Sequence, residues 1–98
     1  MIKTDDGLFQ ELSKYGFTQK DSNLLDVLDW LYHNYKITVN VFPEYSKSYE
    51  MFEYRVKIFV EEIDEVKEYF LKRIWFERPC DGIKEGILTS LRYINEKN

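Results

Sequence analysis

The sequence is poor in cysteine, histidine, proline and glycine, with one, one, two and four of them among 98 residues. A single cysteine cannot pair within the chain, which excludes a disulfide-stapled miniprotein. With so few glycines and prolines there is no flexible linker, and each of these residues can mark a turn or a helix end. Apolar runs reach only three or four residues, as at 58–60, whereas a membrane-spanning helix needs about 20.

The composition is that of one folded domain. Hydrophobic residues make up 44%, aromatic residues 17% and charged residues 33%, which excludes a disordered chain. The sequence therefore predicts a single domain over 1–98, with an N-terminal helix and loop at 1–20 and a core at 21–95. A net charge of −4 disfavours nucleic-acid binding, which usually leaves a basic footprint. Residues 1–6 lack the apolar segment of a signal peptide, so we expect a cytoplasmic protein, and one reduced cysteine fits that location.

Three segments have helical periodicity: 7–15, 22–35 and 81–95. Asp21 or Ser22 is the predicted N-cap of the second helix, and Asp81 that of the third. Gly86 lies inside the third helix and indicates a close approach to a neighbouring element. In the first helix the predicted apolar stripe is Leu8, Leu12 and Tyr15. In the second it is Leu24, Leu25, Leu28, Leu31, Tyr32 and Tyr35, with Val27 and Trp30 at the edge. In the third it is Ile83, Ile87, Leu91 and Ile94.

Two segments alternate with the period of two that is typical of half-buried strands. In 36–42 one face carries Ile37, Val39 and Val41. Pro43 ends this strand or places it at a sheet edge, and 43–50 is predicted as a loop. The second strand turns Phe52, Tyr54, Val56, Ile58 and Val60 inward and Glu53, Arg55 and Lys57 outward. We expect the two strands to pair antiparallel with one face in water.

The segment 61–78 fits more than one structure. Its apolar spacing favours a helical turn or short helix over 61–68, and its aromatic and branched residues favour a third strand over 69–77. The element order is then α-α-β-β-(β)-α, a two-layer α+β fold in which the helices pack on one face of a small antiparallel sheet. Of the aromatic residues, Tyr35, Phe52, Tyr54 and Phe70 are assigned to the core.

Three stretches of the chain resemble a family of small proteins carried by prophages and conjugative elements of gut bacteria. LFQELSKYGF at 8–17 is similar to the "LLKEKGF" opening of that family. VLDWL at 27–31, followed by ITVNV at 37–41, is similar to its "KWLRE" helix and following strand. DGIKEGILTSL at 81–91 is similar to its "YEEAxEAAIxxxL" helix. The resemblance implies an α+β fold and a mobile-element origin, and it brings no activity and no catalytic residue.

The residues offer little catalytic chemistry. His33, the only histidine, lies on the polar face of the second helix four residues after Asp29, and is interpreted as a surface residue. Cys80 precedes the third helix and is the best nucleophile candidate, although an inert thiol is favoured. The acidic residues at 61–68 lack the spacing of a calcium loop and are interpreted as a solvated helix face with pairs such as Glu68–Lys72. There is no glycine-rich phosphate loop. We predict no catalytic residues, no metal and no cofactor.

The open face of the sheet is the predicted binding surface. It should carry Thr38, Asn40, Phe42, Arg55, Lys57 and Phe59, with Tyr45 and Tyr49 in the adjoining loop. Aromatic residues mixed with arginine are typical of protein interfaces. The first hypothesis is a non-enzymatic module that binds another protein or a second copy through Phe42, Tyr45, Tyr49, Arg55, Lys57 and Phe59.

Two alternatives stay open. Phe42 and Phe59 could instead pack under the loop or under 61–68, without any binding role. The helix–three strands–helix order also resembles the double-stranded RNA-binding arrangement, with Arg55, Lys57, Lys72 and Arg73 meeting phosphates.

Overall fold

The computed structural model describes residues 3–71 and 76–97, and it confirms the predicted α+β fold. Two of the three helices pack against one face of a three-stranded antiparallel sheet whose strands lie side by side in chain order, and the first helix packs on the third. The element order α-α-β-β-β-α is as predicted. The elements are α1 (Asp6–Ser13), α2 (Leu24–Tyr35), β1 (Ile37–Ser46), β2 (Met51–Glu61), β3 (Val66–Phe70) and α3 (Pro79–Lys97).

The second helix begins later than predicted, at a cap formed by Asn23 rather than by Asp21 or Ser22. The Asn23 side chain accepts the Asp26 backbone N–H at 3.1 Å, and the Asp26 carboxylate accepts the Asn23 N–H at 2.9 Å. Ser22 is unavailable as a cap because it is buried and donates its hydroxyl to Thr4 Oγ1 at 2.8 Å. The two reciprocal bonds between Asn23 and Asp26 satisfy two backbone amide groups that the start of a helix leaves free.

The buried stripe of α2 is rotated relative to the prediction. Val27, which was expected at the edge, is fully buried together with Leu24 and Leu31. Leu25 and Tyr32, which were expected in the stripe, are 53% and 39% exposed. The reason is that α2 contacts both β1 and α3, and the 24-27-31 row is the one that faces them.

The first strand runs through Pro43 to Ser46, so the predicted loop at 43–50 is a tighter turn over 47–50. Pro43 lies opposite Tyr54, whose backbone N–H and C=O both bond to Phe76 at 2.8 Å. The missing N–H of Pro43 therefore costs no bond in the ladder, and β1 is an edge strand that tolerates it.

The helix predicted over 61–68 is wrong. A turn over 62–65 joins β2 to β3, and the Glu62 N–H donates to the Glu65 carbonyl at 2.8 Å. Lys67 stabilises this turn through an ion pair with Glu62 at 3.3 Å, which also raises the pKa of Lys67. The acidic residues therefore line a hairpin turn and not a helix face.

The third strand starts earlier than predicted and ends at Phe70. Beyond it, the Leu71 N–H donates to the Val56 carbonyl at 3.3 Å, and Phe76 forms an isolated bridge with Tyr54. Residues 72–75 of the strand predicted over 69–77 lie outside the described residues, and so does the predicted Glu68–Lys72 pair.

The third helix lies directly on the sheet because its inner row is made of small residues. Gly82, Gly86 and Ser90 are buried there. A Cβ at Gly86 would overlap the Val39 side chain and lie 3.2 Å from Val56, which confirms the predicted close approach.

The start of the third helix differs from the prediction. It begins at Pro79, whose missing N–H is unneeded at a first helical position. Asp81 therefore lies inside the first turn instead of capping it, and Arg78 binds its carboxylate at 3.0 and 3.1 Å.

Candidate functional site

The face of the sheet that points away from the helices, here called the open face, has the predicted composition in β1 and β2. The strand register places Thr38 opposite Phe59, Asn40 opposite Lys57 and Phe42 opposite Arg55. β3 extends this face with further residues that the same register places beside β2, namely Phe70, Glu68 and Val66. The open face therefore spans all three strands.

Lys57 lies at the centre of the open face, among three phenylalanine rings from three different strands. Its Nζ is 5.0 Å from the ring centre of Phe59, 5.3 Å from that of Phe70 and 5.8 Å from that of Phe42. The same ammonium forms an ion pair with Glu68 at 3.6 Å. Cation–π contacts of this kind are worth about 0.5–2 kcal/mol each, so the lysine holds the rings in one cluster. Ile63, the apolar residue of the turn over 62–65, is fully exposed and packs on neither ring, and Phe42 and Phe59 stay partly exposed.

Charges of both signs surround this aromatic cluster. Arg55 binds Glu44 at 3.3 Å, and its guanidinium lies 5.4 Å from the Phe70 ring centre. Glu53 lies directly opposite Glu44 in the ladder, and like charges in that position repel. Within residues 3–71 and 76–97 no cation is within ion-pair distance of Glu53. Glu53 is thus a carboxylate beside a like charge, with no partner of opposite sign among the described residues.

Phe70 is the residue of the open face that the sequence prediction misplaced. It was assigned to the core, but its side chain is 56% exposed and points to the open face beside Lys57. The alternation of side chains after the turn could have located it. Leu71 is buried on the helix side, so the preceding residue, Phe70, must face the other way.

The six residues predicted to bind divide into two groups. Phe42, Arg55, Lys57 and Phe59 lie together on the open face. Tyr45 belongs to β1 but points to the helix side, 53% exposed, and Tyr49 lies in the turn, 71% exposed.

The end of the β1–β2 hairpin extends past the helices. Phe52 was predicted in the core, yet it is 54% exposed there, with its ring 5.4 Å from that of Tyr45. Tyr45 and Phe52 therefore form a separate aromatic pair at the hairpin end, and Tyr49 lies exposed in the adjoining turn.

A groove of about 520 Å³ lies between β3 and α3 on the helix side. Tyr69 and Tyr93 face each other in it, with their ring centres 5.4 Å apart. Burial raises the pKa of the Tyr93 hydroxyl. The groove is lined by Ile58, Tyr69, Phe70, Leu71, Glu85, Thr89, Arg92, Tyr93 and Glu96.

The two residues considered for catalysis are not assembled into a site. His33 is exposed on α2 with its ring 5.9 Å from that of Tyr32, and Cys80 is a partly buried free thiol in the first turn of α3. In the described part of the chain no three histidine, cysteine, aspartate or glutamate side chains are grouped so that they could hold a metal ion.

The fold and the open face define a small α+β protein whose antiparallel sheet carries helices on one side and an aromatic, charged surface on the other. Comparison with protein-family models, curated proteins and solved structures finds no match to this chain. Among the residues described, no helix is both long enough and apolar enough to span a membrane.

Proposed function

We propose that this protein is a non-enzymatic interaction module that binds a protein partner through the open face. The observation that carries the proposal is the cluster of Phe42, Phe59 and Phe70 around Lys57. Phe70 is more than half exposed although the helix side of the same sheet is closely packed. Exposed aromatic rings with an arginine beside them, here Arg55 at the Phe70 ring, are typical of protein interfaces.

The charges of the open face favour a protein over a nucleic acid. Arg55 and Lys57 each already bind a carboxylate, so phosphates would have to compete with Glu44 and Glu68. The other two cations of the nucleic-acid hypothesis, Lys72 and Arg73, lie outside the described residues. Because a nucleic-acid surface depends on unpaired positive charge, the overall charge of −4 also counts against it.

A mobile-element origin and a cytoplasmic location are part of the same proposal and rest on the sequence alone. The resemblance at 8–17, 27–41 and 81–91 supports an origin in a prophage or conjugative element. The single free thiol supports a place in the reducing cytoplasm.

A photo-crosslinking amino acid introduced at Phe59 tests the proposal inside the producing cell. We expect protein adducts from position 59 and few from position 25, because Leu25 is 53% exposed, and so more accessible than the partly exposed Phe59, but lies on α2 outside the open face. Equal yields at the two positions, or no adduct at position 59, would contradict the proposal. Adducts that a nuclease removes would support nucleic-acid binding instead.

A further inference from the structure

The chain exposes more surface than its mass requires. Its accessible surface is 6786 Å², whereas a compact monomer of 12.0 kDa exposes about 6,000 Å². The excess of about 800 Å² equals the share that each partner contributes to an interface of standard size. The molecule measures 42 × 35 × 19 Å, a thin slab, because all the helices that the structure describes lie on one side of the sheet.

We propose that a second copy of the chain covers the open face and forms a two-fold symmetric dimer. This inference rests on the proposed protein-binding role and names the partner. In such a dimer each contact occurs twice, since residue i of one copy meets residue j of the other and the reverse.

The edges of the sheet disfavour the other common route to a dimer, which is strand addition. β1 carries Pro43, which has no N–H to donate to an added strand. β3 has only five residues, and Lys67 points to the helix side, where Glu62 binds it. Charged residues that point inward on a short edge strand block pairing. A second copy is therefore expected to stack on the open face instead of extending the sheet.

Charge complementarity fixes how the two copies meet. Glu53 has no cation partner within the described residues, and Arg55 lies two residues further along the same strand on the same face. A two-fold axis that crosses the strands between these residues places each Arg55 over Glu53 of the second copy. Arg55 uses one guanidinium nitrogen, Nη1, to bind Glu44, and guanidinium has five N–H donors, so a second carboxylate fits.

The same offset explains the exposed apolar side chains of this face. It places Met51, which is 40% exposed, over the rings that surround Lys57 of the second copy. Sulfur–aromatic contacts are favourable, and the exposed ring of Phe70 is one of the rings that this offset brings near Met51.

Sedimentation equilibrium of charge-reversal variants tests this dimer. The wild-type chain is expected at twice its 12.0 kDa mass. Arg55→Glu and Glu53→Arg, each alone, place like charges together and should weaken association by about tenfold or more. An equimolar mixture of the two variants restores opposite charges at both contacts, so it should dimerise like wild type.

The matched control is Asp29→Arg, the same kind of charge reversal at an exposed position of α2, which should stay dimeric. A wild-type chain that is monomeric at all concentrations overturns the dimer. Crosslinks from position 59 to a different protein would then still support the proposed function, so the two failures are distinguishable. A wild-type dimer that both variants retain overturns the contact between Glu53 and Arg55.

Discussion

Ile58 and Phe59 are neighbours in β2, yet they belong to two different environments. Ile58 is 1% exposed beneath the helices, while Phe59 is partly exposed on the open face beside the Lys57 ammonium. On the helix side the size of each side chain is restricted, because α3 lies close to the strands at Gly82 and Gly86. On the open face aromatic rings alternate with charges, which is a composition that folding alone does not require. The comparison separates residues that stabilise the fold from residues available for binding.

Truncation of these two neighbours should give the largest difference. Ile58→Ala removes buried methyl groups and leaves a cavity, so it should lower the free energy of unfolding by about 3 kcal/mol. Phe59→Ala should lower it by about 1 kcal/mol or less, although it removes more atoms, because its ring remains in contact with water. Urea unfolding at 25 °C measures both. Equal losses would mean that the open face belongs to the core.

Adding one methyl group to the helix layer should have the next largest effect. Gly86→Ala forces a Cβ against Val39 and Val56, so overpacking should exceed the gain in helix propensity and cost about 1–2 kcal/mol. Gly7→Ala in α1 is the control, because its nearest contact would be an ordinary 3.5 Å to Asp5 Oδ1. That variant should be neutral or up to about 1 kcal/mol more stable. A stabilised Gly86→Ala would show that α3 does not lie tightly on the sheet.

Acid should weaken the helix layer through Asp5, the N-cap of α1. The N–H of Leu8, followed by Lys84, holds the pKa of this carboxyl below its usual value of 3.8. Folding that lowers a pKa contributes stability that is present above the unfolded pKa and is lost as the pH falls through the folded one. Asp5→Ala should therefore cost about 1 kcal/mol at pH 7.

The non-titrating cap Asp5→Asn is the control for this effect. Asparagine caps a helix about as well as aspartate, so the variant should keep its cap at every pH. Between pH 5 and 2 the urea midpoint of the wild type should fall more steeply than that of Asp5→Asn. Parallel pH profiles would show that Asp5 does not titrate with folding.

The smallest effect on stability is expected at the centre of the open face. Lys57→Met keeps an unbranched apolar stem among the rings and removes the charge. It should change the free energy of unfolding by less than about 1 kcal/mol, because methionine replaces the cation–π contacts with sulfur–aromatic contacts of similar strength and the lost ion pair is partly exposed. Thermal unfolding monitored by circular dichroism would show a larger loss if Lys57 were a structural residue.

The parts of the fold with a strong local signal could be predicted from the sequence. The alternation in β1 and β2 predicts both faces correctly because side-chain direction in a strand depends only on parity. Gly86 inside an apolar helix also indicates close packing, because glycine lowers the stability of a helix and a close contact with a neighbouring element compensates for that loss.

The parts that failed depend on contacts distant in sequence. Three neighbouring residues can all cap α2, and the choice of Asn23 follows from the bond that Ser22 makes to Thr4. Ile63 has the spacing of a helix residue, but it lies fully exposed in the turn that starts β3. The position of that turn sets the register of β3, and this register decides that Phe70 belongs to the open face.

The sedimentation velocity of Phe70→Ser beside the wild-type chain tests most directly whether the open face serves binding and not folding. Phe70 is 56% exposed, so its replacement removes apolar surface from the patch without opening the core. The wild type should sediment as a dimer and the variant as a folded monomer. A variant that sediments as the wild type does at every concentration would contradict the account.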